Sequence, residues 1–450
     1  MHSVVVGIGK TGASCLRYLM KRGIPVSATD SRRAPPGLQE LGPAAQGLDL
    51  RLGGFDLSLL EEASQLVISP GVSLQEPIAA AARERGIEIL GDVELFARAV
   101  RAPVIGITGT NGKSTVTSLV ARMAAAAGRR VLAGGNLGPP ALDLLEQPMP
   151  DLYVLELSSF QLDTTTSLRP QAAVVLNVSA DHMDRYASVT QYADAKARIF
   201  SAAATIVLNA DDALVARMAD AHRHLQTRIV TFSVERTDTD FSLLRQGISS
   251  ADPQIWLARR GEKLMDLARL KIQGLHNAAN ALAALALGEA AGLPMDAMCE
   301  ALESFPGLPH RSAWVADIGG VRYVDDSKGT NVGATLAAVS GMPGPLVMIL
   351  GGEGKGQDFM PLAAAFRGKV RHAVLIGKDA PALAAALSGV CSTETADSMQ
   401  AAVGAAYACA RAGDTVLLSP ACASLDMFRD YGHRGDVFAA AVHALGGGRT

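Results

Sequence analysis

The chain has 450 residues, of which 49% are hydrophobic and 4% aromatic, and its formal net charge is -3. This length exceeds one comfortable hydrophobic core and suggests about three domains, while the near-neutral charge excludes the basic excess typical of nucleic-acid binding. The five cysteines lack paired metal spacing, which argues against a disulfide framework or a zinc site. Met1 leads directly into a strand and a glycine loop, and no apolar run is long enough to span a bilayer. We therefore predict a cytoplasmic protein with no membrane insertion and no nucleic-acid partner.

The first predicted element is the strand Val4 to Val6, which runs into the turn Gly7-Ile8-Gly9-Lys10-Thr11-Gly12 and then a helix. A second strand ends at Asp30, about where a dinucleotide-binding fold places its ribose-binding acid. These elements predict a nucleotide ligand, with NAD as the default on local grounds. Ser69, after a further apolar strand, either contacts the same ligand or opens a Pro-Gly turn. The alternation of strands and helices pauses near Asp92, where we place the first domain boundary.

A phosphate-binding loop is predicted at Gly106-Ile107-Thr108-Gly109-Thr110-Asn111-Gly112-Lys113-Ser114-Thr115, between an apolar strand and a helix. Backbone N–H groups of such a loop, together with the positive end of the following helix, bind phosphate oxygens. Lys113 would meet the β and γ phosphates of ATP, and Ser114 a magnesium ion. The pattern departs from the standard one because Ile107 stands where its first glycine belongs. We interpret the loop as an ATP site.

Polar side chains follow the next predicted strands. Glu156 lies near the C-terminal end of the predicted buried strand Leu152 to Ser159, where the strand beside a P-loop delivers an acidic magnesium ligand. A capped or salt-bridged glutamate is the alternative. His182 follows the strand Ala172 to Asn177, and it would face the metal or the substrate, or else lie on the surface.

Lys196 lies on the apolar side of a helix that begins at a Ser188 capping box and runs through Phe200. It either snorkels outward, which is the commoner explanation, or stays buried, in which case burial would lower its pKa and keep the amine neutral enough for covalent chemistry. The polar stretch from about residue 217 to 269 supports no functional assignment. Asn277 and Asn280 share a helix face that could hold a purine edge, although Asn277 could equally be an N-cap.

The segment Phe305-Pro306-Gly307-Leu308-Pro309 has the composition of a linker and marks the second boundary. Beyond it we predict a hairpin across Gly319-Gly320 and a smaller doubly wound sheet whose polar loops follow its strands. Lys355 in one of these loops is either a ligand contact or a solvated surface lysine. The predicted fold is α/β with a Rossmann-like domain at 1–93, a central P-loop domain with a parallel sheet at 94–305 and a Rossmann-like domain at 306–450.

Several separated motifs together resemble the Mur ligases, the ATP-dependent amide ligases of peptidoglycan precursor synthesis. The motifs are the phosphate-binding loop, Asp181-His182-Met183-Asp184, Asn277 with Asn280, Pro309-His310-Arg311 and Asp326-Ser327-Lys328. They span all three regions. The N-terminal glycine turn, Ser69-Pro70-Gly71, Lys355 and the Ser419 to Phe428 segment are most similar to the member that adds D-glutamate to UDP-N-acetylmuramoyl-L-alanine.

The resemblance implies a role for each matching position. The first domain would hold UDP and not NAD, with contacts from Lys10, Thr11, Asp30, Ser31, Arg32 and Ser69, and with Asn136 reaching toward the sugar. The ATP contacts would be Gly109, Thr110, Asn111, Gly112, Lys113, Ser114, Thr115, Asn277, Asn280, Arg311 and Asp326. The D-glutamate pocket would comprise Lys328, Thr330, Lys355, Ser424 and Tyr431, where the family often has phenylalanine in place of Tyr431. Two magnesium ions are implied, one on Ser114 and Glu156, and one on Glu156, His182 and Lys196, the last as a carbamylated lysine.

The implied reaction passes the γ-phosphoryl of ATP to the terminal carboxylate of the substrate's L-alanine, and the amine of D-glutamate then attacks the acyl phosphate. Lys113, Glu156, His182 and Lys196 would be the catalytic set, and domain closure would exclude water. We expect a monomer. An NAD-dependent dehydrogenase that uses the N-terminal glycine turn is the chief rival, followed by a nucleotide-gated binding protein and a folate-polyglutamate ligase.

Overall fold

The computed structural model describes residues 2–218, 220, 227–246, 254–272, 274–342 and 344–447. The chain divides into two compact units. The first unit comprises Met1–Asn177, Thr190–Met265 and Ala281–Leu302, and the second comprises Val178–Val189, Asp266–Asn280 and Glu303–Thr450. Two sheets lie in the first unit and one in the second, and parallel strand pairs predominate in all three. The predicted α/β class with three sheet domains is confirmed.

The N-terminal sheet begins with a fully buried run, Ser-Val-Val-Val, as expected of a parallel strand that is covered on both faces. Its strands are Ser3–Val6 (β1), Val26–Asp30 (β2), Asp49–Leu52 (β3), Gln65–Ile68 (β4) and Glu88–Leu90 (β5). The helices are Lys10–Lys21 (α1), Gly37–Leu41 (α2), Pro77–Glu84 (α3) and Asp92–Ala99 (α4). The strand order β3-β2-β1-β4-β5 reverses direction at β1, so the glycine turn and Ser69 follow neighbouring strands at the point where ligands bind in such folds.

The central sheet has nine strands. They are Val104–Thr108 (β6), Val131–Gly135 (β7), Leu152–Glu156 (β8), Ala172–Val175 (β9), Thr205–Asn209 (β10), Arg228–Ser233 (β11), Phe241–Gln246 (β12), Gln254–Arg259 (β13) and Glu262–Asp266 (β14). The helices of this region are Lys113–Ala126 (α5), Ala141–Leu144 (α6), Ser159–Asp163 (α7), Val189–Ala197 (α8), Ala213–Met218 (α9), Leu275–Ala290 (α10) and Met295–Ser304 (α11). Because β6 lies between β8 and β9, the phosphate-binding loop, Glu156 and the residues after Val175 meet at one edge of the sheet.

The third sheet has six strands and two buried cores, one on each face. Its strands are Ala313–Ile318 (β15), Val321–Asp325 (β16), Leu346–Gly351 (β17), Val370–Ile376 (β18), Ser392–Thr395 (β19) and Thr415–Leu418 (β20). Its helices are Val332–Gly341 (α12), Met360–Phe366 (α13), Ala380–Ala386 (α14), Met399–Cys409 (α15) and Tyr431–Gly447 (α16). The predicted hairpin across Gly319-Gly320 is confirmed, since β15 and β16 pair antiparallel. The order β15-β16-β20-β17-β18-β19 places the loops after β16, β20 and β17 side by side.

Helix α4 joins the first two sheet domains through buried acids. Glu94 accepts hydrogen bonds from the backbone N–H groups of Thr166 and Ser167 at 2.7 and 2.8 Å, and Asp92 accepts one from Gln161. Burial alone would raise the pKa of Glu94. The hydrogen bonds from Ser167, Thr166 and Arg98 outweigh that effect and lower the pKa to about 2. The predicted boundary after residue 93 falls inside this helix; it stays a prediction, as does the boundary after residue 305.

The stretch from about residue 217 to 269, which the sequence left unassigned, carries four strands, β11 to β14, of the central sheet. β11 continues the parallel pairing from β10, and β12 and β13 pair antiparallel. Residues 219, 221–226 and 247–253 of this stretch lie outside the described residues.

Within the described ranges, no helix combines the length and the apolar character needed to cross a bilayer.

Candidate functional site

The phosphate-binding loop turns from β6 into α5 through two glycines with positive φ, Gly109 at 149° and Gly112 at 85°. A Cβ at Gly109 would lie 3.0 Å from the Leu176 Cβ and 3.3 Å from the backbone nitrogen of Asn177. The position therefore requires glycine for both conformation and space. Helix α5 begins at Lys113, so its N-terminal N–H groups lie at the loop, where phosphate binding is favoured.

Asn177 fixes the far side of the loop, although sequence reasoning did not select it. Its Oδ1 accepts the Asn111 N–H at 2.8 Å, and its Nδ2 donates to the Asn111 carbonyl at 3.1 Å. Its own carbonyl accepts the Thr110 N–H at 2.9 Å. Asn111 and Asn177 are 66 residues apart, so no local pattern links them. The position of Asn177, a polar residue just past a strand that lies beside β6, was the only sequence signal for its role.

Two lysine ammonium groups share one carbonyl oxygen in this loop. Lys113 Nζ donates to the Gly109 carbonyl at 3.0 Å, and Lys196 Nζ donates to the same oxygen at 2.9 Å. Lys113 also donates to the Thr110 carbonyl. Lys196 is 1% exposed and lies 4.2 Å from the centre of the Tyr192 ring. The snorkelling explanation for Lys196 is therefore wrong. Two positive charges this close favour an anion in the loop.

Glu156 ends β8 beside the loop and is 2% exposed. Its Oε1 accepts a hydrogen bond from Asn136 Nδ2 at 2.7 Å, whereas its Oε2 is buried without a hydrogen-bond partner among the described residues. A buried carboxylate oxygen in this condition is costly unless a cation or a donor binds it. The salt-bridge alternative for Glu156 has no support in the described part of the chain, where the one hydrogen-bond partner of its side chain is the Asn136 amide.

The N-terminal glycine turn is closed by hydrogen bonds from neighbouring strands. Ser69 Oγ donates to the Gly7 carbonyl at 2.6 Å, and a Cβ at Gly12 would collide with that same oxygen. Asp30, 1% exposed, accepts the Ile8 N–H at 2.6 Å and a bidentate pair of bonds from the Arg32 guanidinium. Asp30 thus holds the turn and orients Arg32. Because these donors occupy the Asp30 carboxylate, it is less available for a ribose diol.

The remaining predicted UDP contacts divide between two places. Thr11 is half-buried and Ser31 is exposed near the turn, and Lys10 Nζ donates to the Gly138 carbonyl at 2.8 Å. Asn136, predicted to reach toward the sugar, is exposed and bonded to Glu156 instead of lying at the turn. A hydrogen bond therefore connects a predicted substrate residue to a predicted metal ligand.

In the second unit, Asn277 and Asn280 share a face of α10 as predicted, and Asn280 Nδ2 donates to Asn277 Oδ1 at 3.2 Å. His182 has a left-handed backbone with φ of 58°, and its N–H donates to the adjacent Asp181 carboxylate. Asp181 also accepts a bond from Asn331 at 3.2 Å. The His182 side chain is 31% exposed, so the surface alternative and the ligand alternative both stay predictions.

Asp326 follows β16 and is 8% exposed. It accepts the Ser312 N–H at 3.0 Å and the Ser419 hydroxyl at 2.8 Å. Burial raises the pKa of this carboxyl to about 7, although those hydrogen bonds and the nearby Arg311 charge lower it. The positive charge of Arg311 therefore acts on the Asp326 carboxyl, and both residues are predicted ATP contacts.

Four of the predicted D-glutamate residues lie in the loops after β16, β17 and β20, and the fifth, Tyr431, begins α16. Lys328 Nζ lies 3.7 Å from the centre of the Tyr431 ring, a cation–π contact that phenylalanine would also provide. Lys355 has a positive φ of 52°, and Ser424 is 4% exposed. Thr330 is half-buried, and its N–H donates to the Lys328 carbonyl. Arg434, which sequence reasoning missed, is completely buried beside these loops.

A further group of possible metal ligands was not suggested by linear spacing. The ligand atoms of His372, Glu394 and Cys409 lie within 4.8 Å of one another. His372 Nε2 lies 3.1 Å from Glu394 Oε1, and its Nδ1 lies 2.7 Å from Ser392 Oγ. A hydrogen-bonded histidine–glutamate pair accounts for this arrangement without a metal.

Comparison with known proteins identifies three family models along the chain. They are "Mur ligase MurD-like, N-terminal domain" over residues 1–91, "Mur ligase middle domain" over 107–288 and "Mur ligase, glutamate ligase domain" over 310–422. Two similar relatives, from Nitrosococcus oceani and Methylobacillus flagellatus, are both named UDP-N-acetylmuramoylalanine--D-glutamate ligase. They are 53% and 52% identical over 445 and 448 residues, and each match covers 98% of this chain and 96% of the relative.

Among solved structures, the UDP-N-acetylmuramate-alanine ligase of Thermotoga maritima matches with a TM-score of 0.62 and 20% identity. The match covers 99% of this chain and 100% of that one. At this identity the likeness establishes the fold alone, and it agrees with the three-sheet architecture.

Proposed function

The chain belongs to the Mur ligase family, an assignment that makes it an ATP-dependent ligase forming amide bonds, and from this premise we propose that it joins D-glutamate to UDP-N-acetylmuramoyl-L-alanine. The product would be a precursor of peptidoglycan. The structural observation that carries the proposal is the phosphate-binding loop, where Lys113 and Lys196 share one carbonyl beside the buried carboxylate of Glu156. This arrangement suits phosphoryl transfer, in which positioning and charge stabilisation supply most of the catalysis.

The first chemical step is phosphoryl transfer to a carboxylate. The N–H groups of residues 112–115 and the Lys113 ammonium would hold the ATP phosphates, while the N–H groups of Thr110 and Asn111 donate to Asn177, which keeps the loop in shape. The terminal carboxylate of the L-alanine attacks the γ-phosphorus, and the bond to the β-phosphate oxygen breaks to release ADP. The acyl phosphate that forms has a good leaving group, which a free carboxylate lacks.

The second step forms the amide bond. The amine of D-glutamate attacks the acyl carbon, and the tetrahedral intermediate loses phosphate and a proton. We propose Lys328, Thr330, Lys355, Ser424 and Tyr431 as the pocket for this amino acid. The two lysines supply positive charge for its two carboxylates, and their loops follow β16 and β17, the strands on either side of β20. Asn277, Asn280, Arg311 and Asp326 are proposed as further ATP contacts.

The residues present suit magnesium. Glu156 Oε2 is a buried acceptor without a hydrogen-bond partner in the described part of the chain, and Ser114 is a 3% exposed hydroxyl at the start of α5. Carboxylate and hydroxyl oxygens are ligands that magnesium prefers. We propose that Ser114 and Glu156 hold one ion, and that Glu156, His182 and Lys196 hold a second. When bound, the ions would neutralise negative charge on the phosphates.

Carbamylation of Lys196 is proposed for a related reason. The modification converts an ammonium into an anionic oxygen ligand. It would replace the repulsion between Lys196 and Lys113 by attraction, and it would turn a charge that opposes a metal ion into one that binds it.

The proposal is tested by measuring phosphate release with ATP, magnesium and UDP-N-acetylmuramoyl-L-alanine. The acceptor is varied over a panel of D- and L-amino acids. We expect release that depends on D-glutamate alone. Release that depends on another amino acid would keep the ligase chemistry and overturn the acceptor assignment. A Lys113→Ala variant serves as the background control.

The dehydrogenase hypothesis is not supported, because the matches along the chain are to ligases. The occupied carboxylate of Asp30 also argues against a ribose-binding acid at that position. Binding to immobilised UDP compared with NAD would test the nucleotide preference of the first domain. The monomeric state stays a prediction.

A further inference from the structure

Arg434 is the largest side chain that is fully buried, at 0% exposure. It lies in the first turn of α16, which begins at Tyr431. Arginine is almost never fully buried unless its donors are satisfied, because removing a guanidinium from water is costly. Burial lowers the pKa of Arg434 to about 10, so the group stays charged at neutral pH. A buried charge of this kind needs a structural reason.

The guanidinium donates to three separate loops. Its Nε donates to Ser327 Oγ at 3.0 Å and its Nη2 to the Ser327 carbonyl at 2.7 Å. Its Nη1 donates to the Cys422 carbonyl at 3.1 Å and lies 3.5 Å from the Gly351 carbonyl oxygen. All of these acceptors are neutral oxygens. The planar fork of arginine can reach several acceptors in fixed directions, whereas the single ammonium of lysine cannot.

The three loops follow adjacent strands of the third sheet. Ser327 follows β16, Cys422 follows β20 and Gly351 ends β17, and β20 lies between the other two. Carboxyl ends of parallel strands form the ligand side of such sheets. One side chain therefore sets the relative positions of three neighbouring loops on that side.

Every position proposed for D-glutamate is close in sequence to a residue that Arg434 or its helix holds. Lys328 and Thr330 come one and three residues after Ser327, Lys355 comes four after Gly351, and Ser424 comes two after Cys422. Tyr431 opens the same helix, and its carbonyl accepts the Ser327 hydroxyl at 2.8 Å. Ser327 thus accepts from Arg434 and donates to Tyr431, which joins the helix to the loop.

We propose that Arg434 is a positioning residue that fixes the geometry of the acceptor amino-acid pocket without touching the substrate. The inference rests on the proposed function, since the pocket residues are part of it. Its energetic basis is pre-organisation: loops held in the binding geometry lose little entropy when the amino acid binds. Loosening them weakens acceptor binding more than it weakens the binding of ATP or the UDP substrate.

The test compares Arg434→Lys and Arg434→Met with Arg371→Met. Arg371 is a suitable control because it makes a bidentate pair with Asp414 in the same domain but contacts none of the three loops. For each variant the melting temperature, kcat and the three KM values are measured well below the melting temperature. We expect the Arg434 variants to raise the KM for D-glutamate by about tenfold to a hundredfold, with the other two KM values changed less than about twofold. Arg371→Met should lower the melting temperature and leave all three KM values unchanged.

Ser327→Ala provides a milder variant should the Arg434 variants fail to fold. It removes one acceptor of Arg434 and the link to Tyr431 but leaves the guanidinium in place, and it should raise the KM for D-glutamate several-fold. A KM for D-glutamate that stays at the wild-type value in every folded variant would overturn the inference, as would equal rises for all three substrates. Wild-type phosphate release that depends on a different amino acid would refute the proposed function instead, and the comparison would then use that amino acid.

Discussion

Replacing Glu156 by glutamine should separate the proposed metal-binding role of this residue from its structural role. Glutamine keeps the oxygen that accepts the Asn136 hydrogen bond but removes the negative charge. The Oε2 atom of Glu156 is buried without a partner among the described residues, and such an atom costs about 1–3 kcal/mol of folding free energy. Without magnesium, the variant should therefore be at least as stable as the wild type. A gain of about 1 kcal/mol corresponds to a melting temperature higher by about 1 °C for a chain of 450 residues, since the unfolding entropy is about 2.1 cal/mol/K per residue.

Activity should change in the opposite direction. A metal ligand contributes several kcal/mol to transition-state charge stabilisation, so turnover of Glu156→Gln should fall by at least about a hundredfold. Saturating magnesium and ATP should raise the melting temperature of the wild type, since a ligand at about 100 times its Kd stabilises the folded state by about 2.7 kcal/mol. The rise should be clearly smaller for the variant.

Thermal unfolding with and without magnesium–ATP, together with phosphate release, checks both expectations. Glu94→Gln is a matched control, because Glu94 is equally buried but fully hydrogen-bonded. It should lose stability by roughly 2–3 kcal/mol, as expected when a charged, hydrogen-bonded group is replaced. A Glu156→Gln variant that is less stable without magnesium, or that gains as much from magnesium–ATP as the wild type, would refute the reasoning.

Four further outcomes are expected. Lys113→Ala should abolish phosphate release while binding of the UDP substrate, measured by calorimetry, stays within about threefold, since lysine–phosphate contacts are local; retained turnover would contradict the role of the loop. Lys196→Ala should lose most activity and regain part of it with a small added carboxylate, whereas a fully active variant would show that the lysine is only structural. Asn177→Ala should weaken ATP binding about tenfold through the loss of two hydrogen bonds, and Asn209→Ala, which loses a bond to the neighbouring Leu176 carbonyl, should not. Asp326→Asn should gain stability relative to the wild type as pH rises from about 4 to about 7. Burial raises the folded-state pKa of Asp326 to about 7, so ionisation of this carboxyl over that range costs the wild type stability. Melting temperatures of the two proteins that run parallel across this range would contradict the raised pKa.

The parts of the fold that could be predicted are those written in short stretches of sequence. The glycine turn after β1 and the loop before α5 combine an apolar strand, glycines with a steric purpose and a helix within about fifteen residues, so their local patterns suffice. Strands β11 to β14 were missed because polar residues interrupt their alternation. Burial in a large sheet, which the local pattern does not reveal, overrides that weak signal.

The unpredicted parts of the candidate site depend on contacts between distant segments. Lys196 and Gly109 are 87 residues apart, and Arg434 and Ser327 are 107 apart. Sequence reasoning placed Lys196 on an apolar helix face but favoured solvent exposure, since nothing local showed that a backbone carbonyl would meet its ammonium. In sequence, Arg434 resembles an ordinary helix arginine. Its role depends on the ends of three strands that surround it only in the folded chain.

Helix α4 has a practical consequence for dissecting the protein. A piece that ends at residue 93 would follow the domain boundary suggested by sequence, yet it would cut α4 after its second residue and separate Asp92 from Gln161, whose Nε2 donates to it at 3.1 Å. It would also separate Glu88 from Arg98, whose guanidinium donates to that carboxylate at 3.2 Å. The two halves of such a cut would each expose surface that only the other half covers. Ligand screening against the domain proposed to bind UDP therefore calls for the intact chain, because helix α4 belongs to both sides of the sequence boundary.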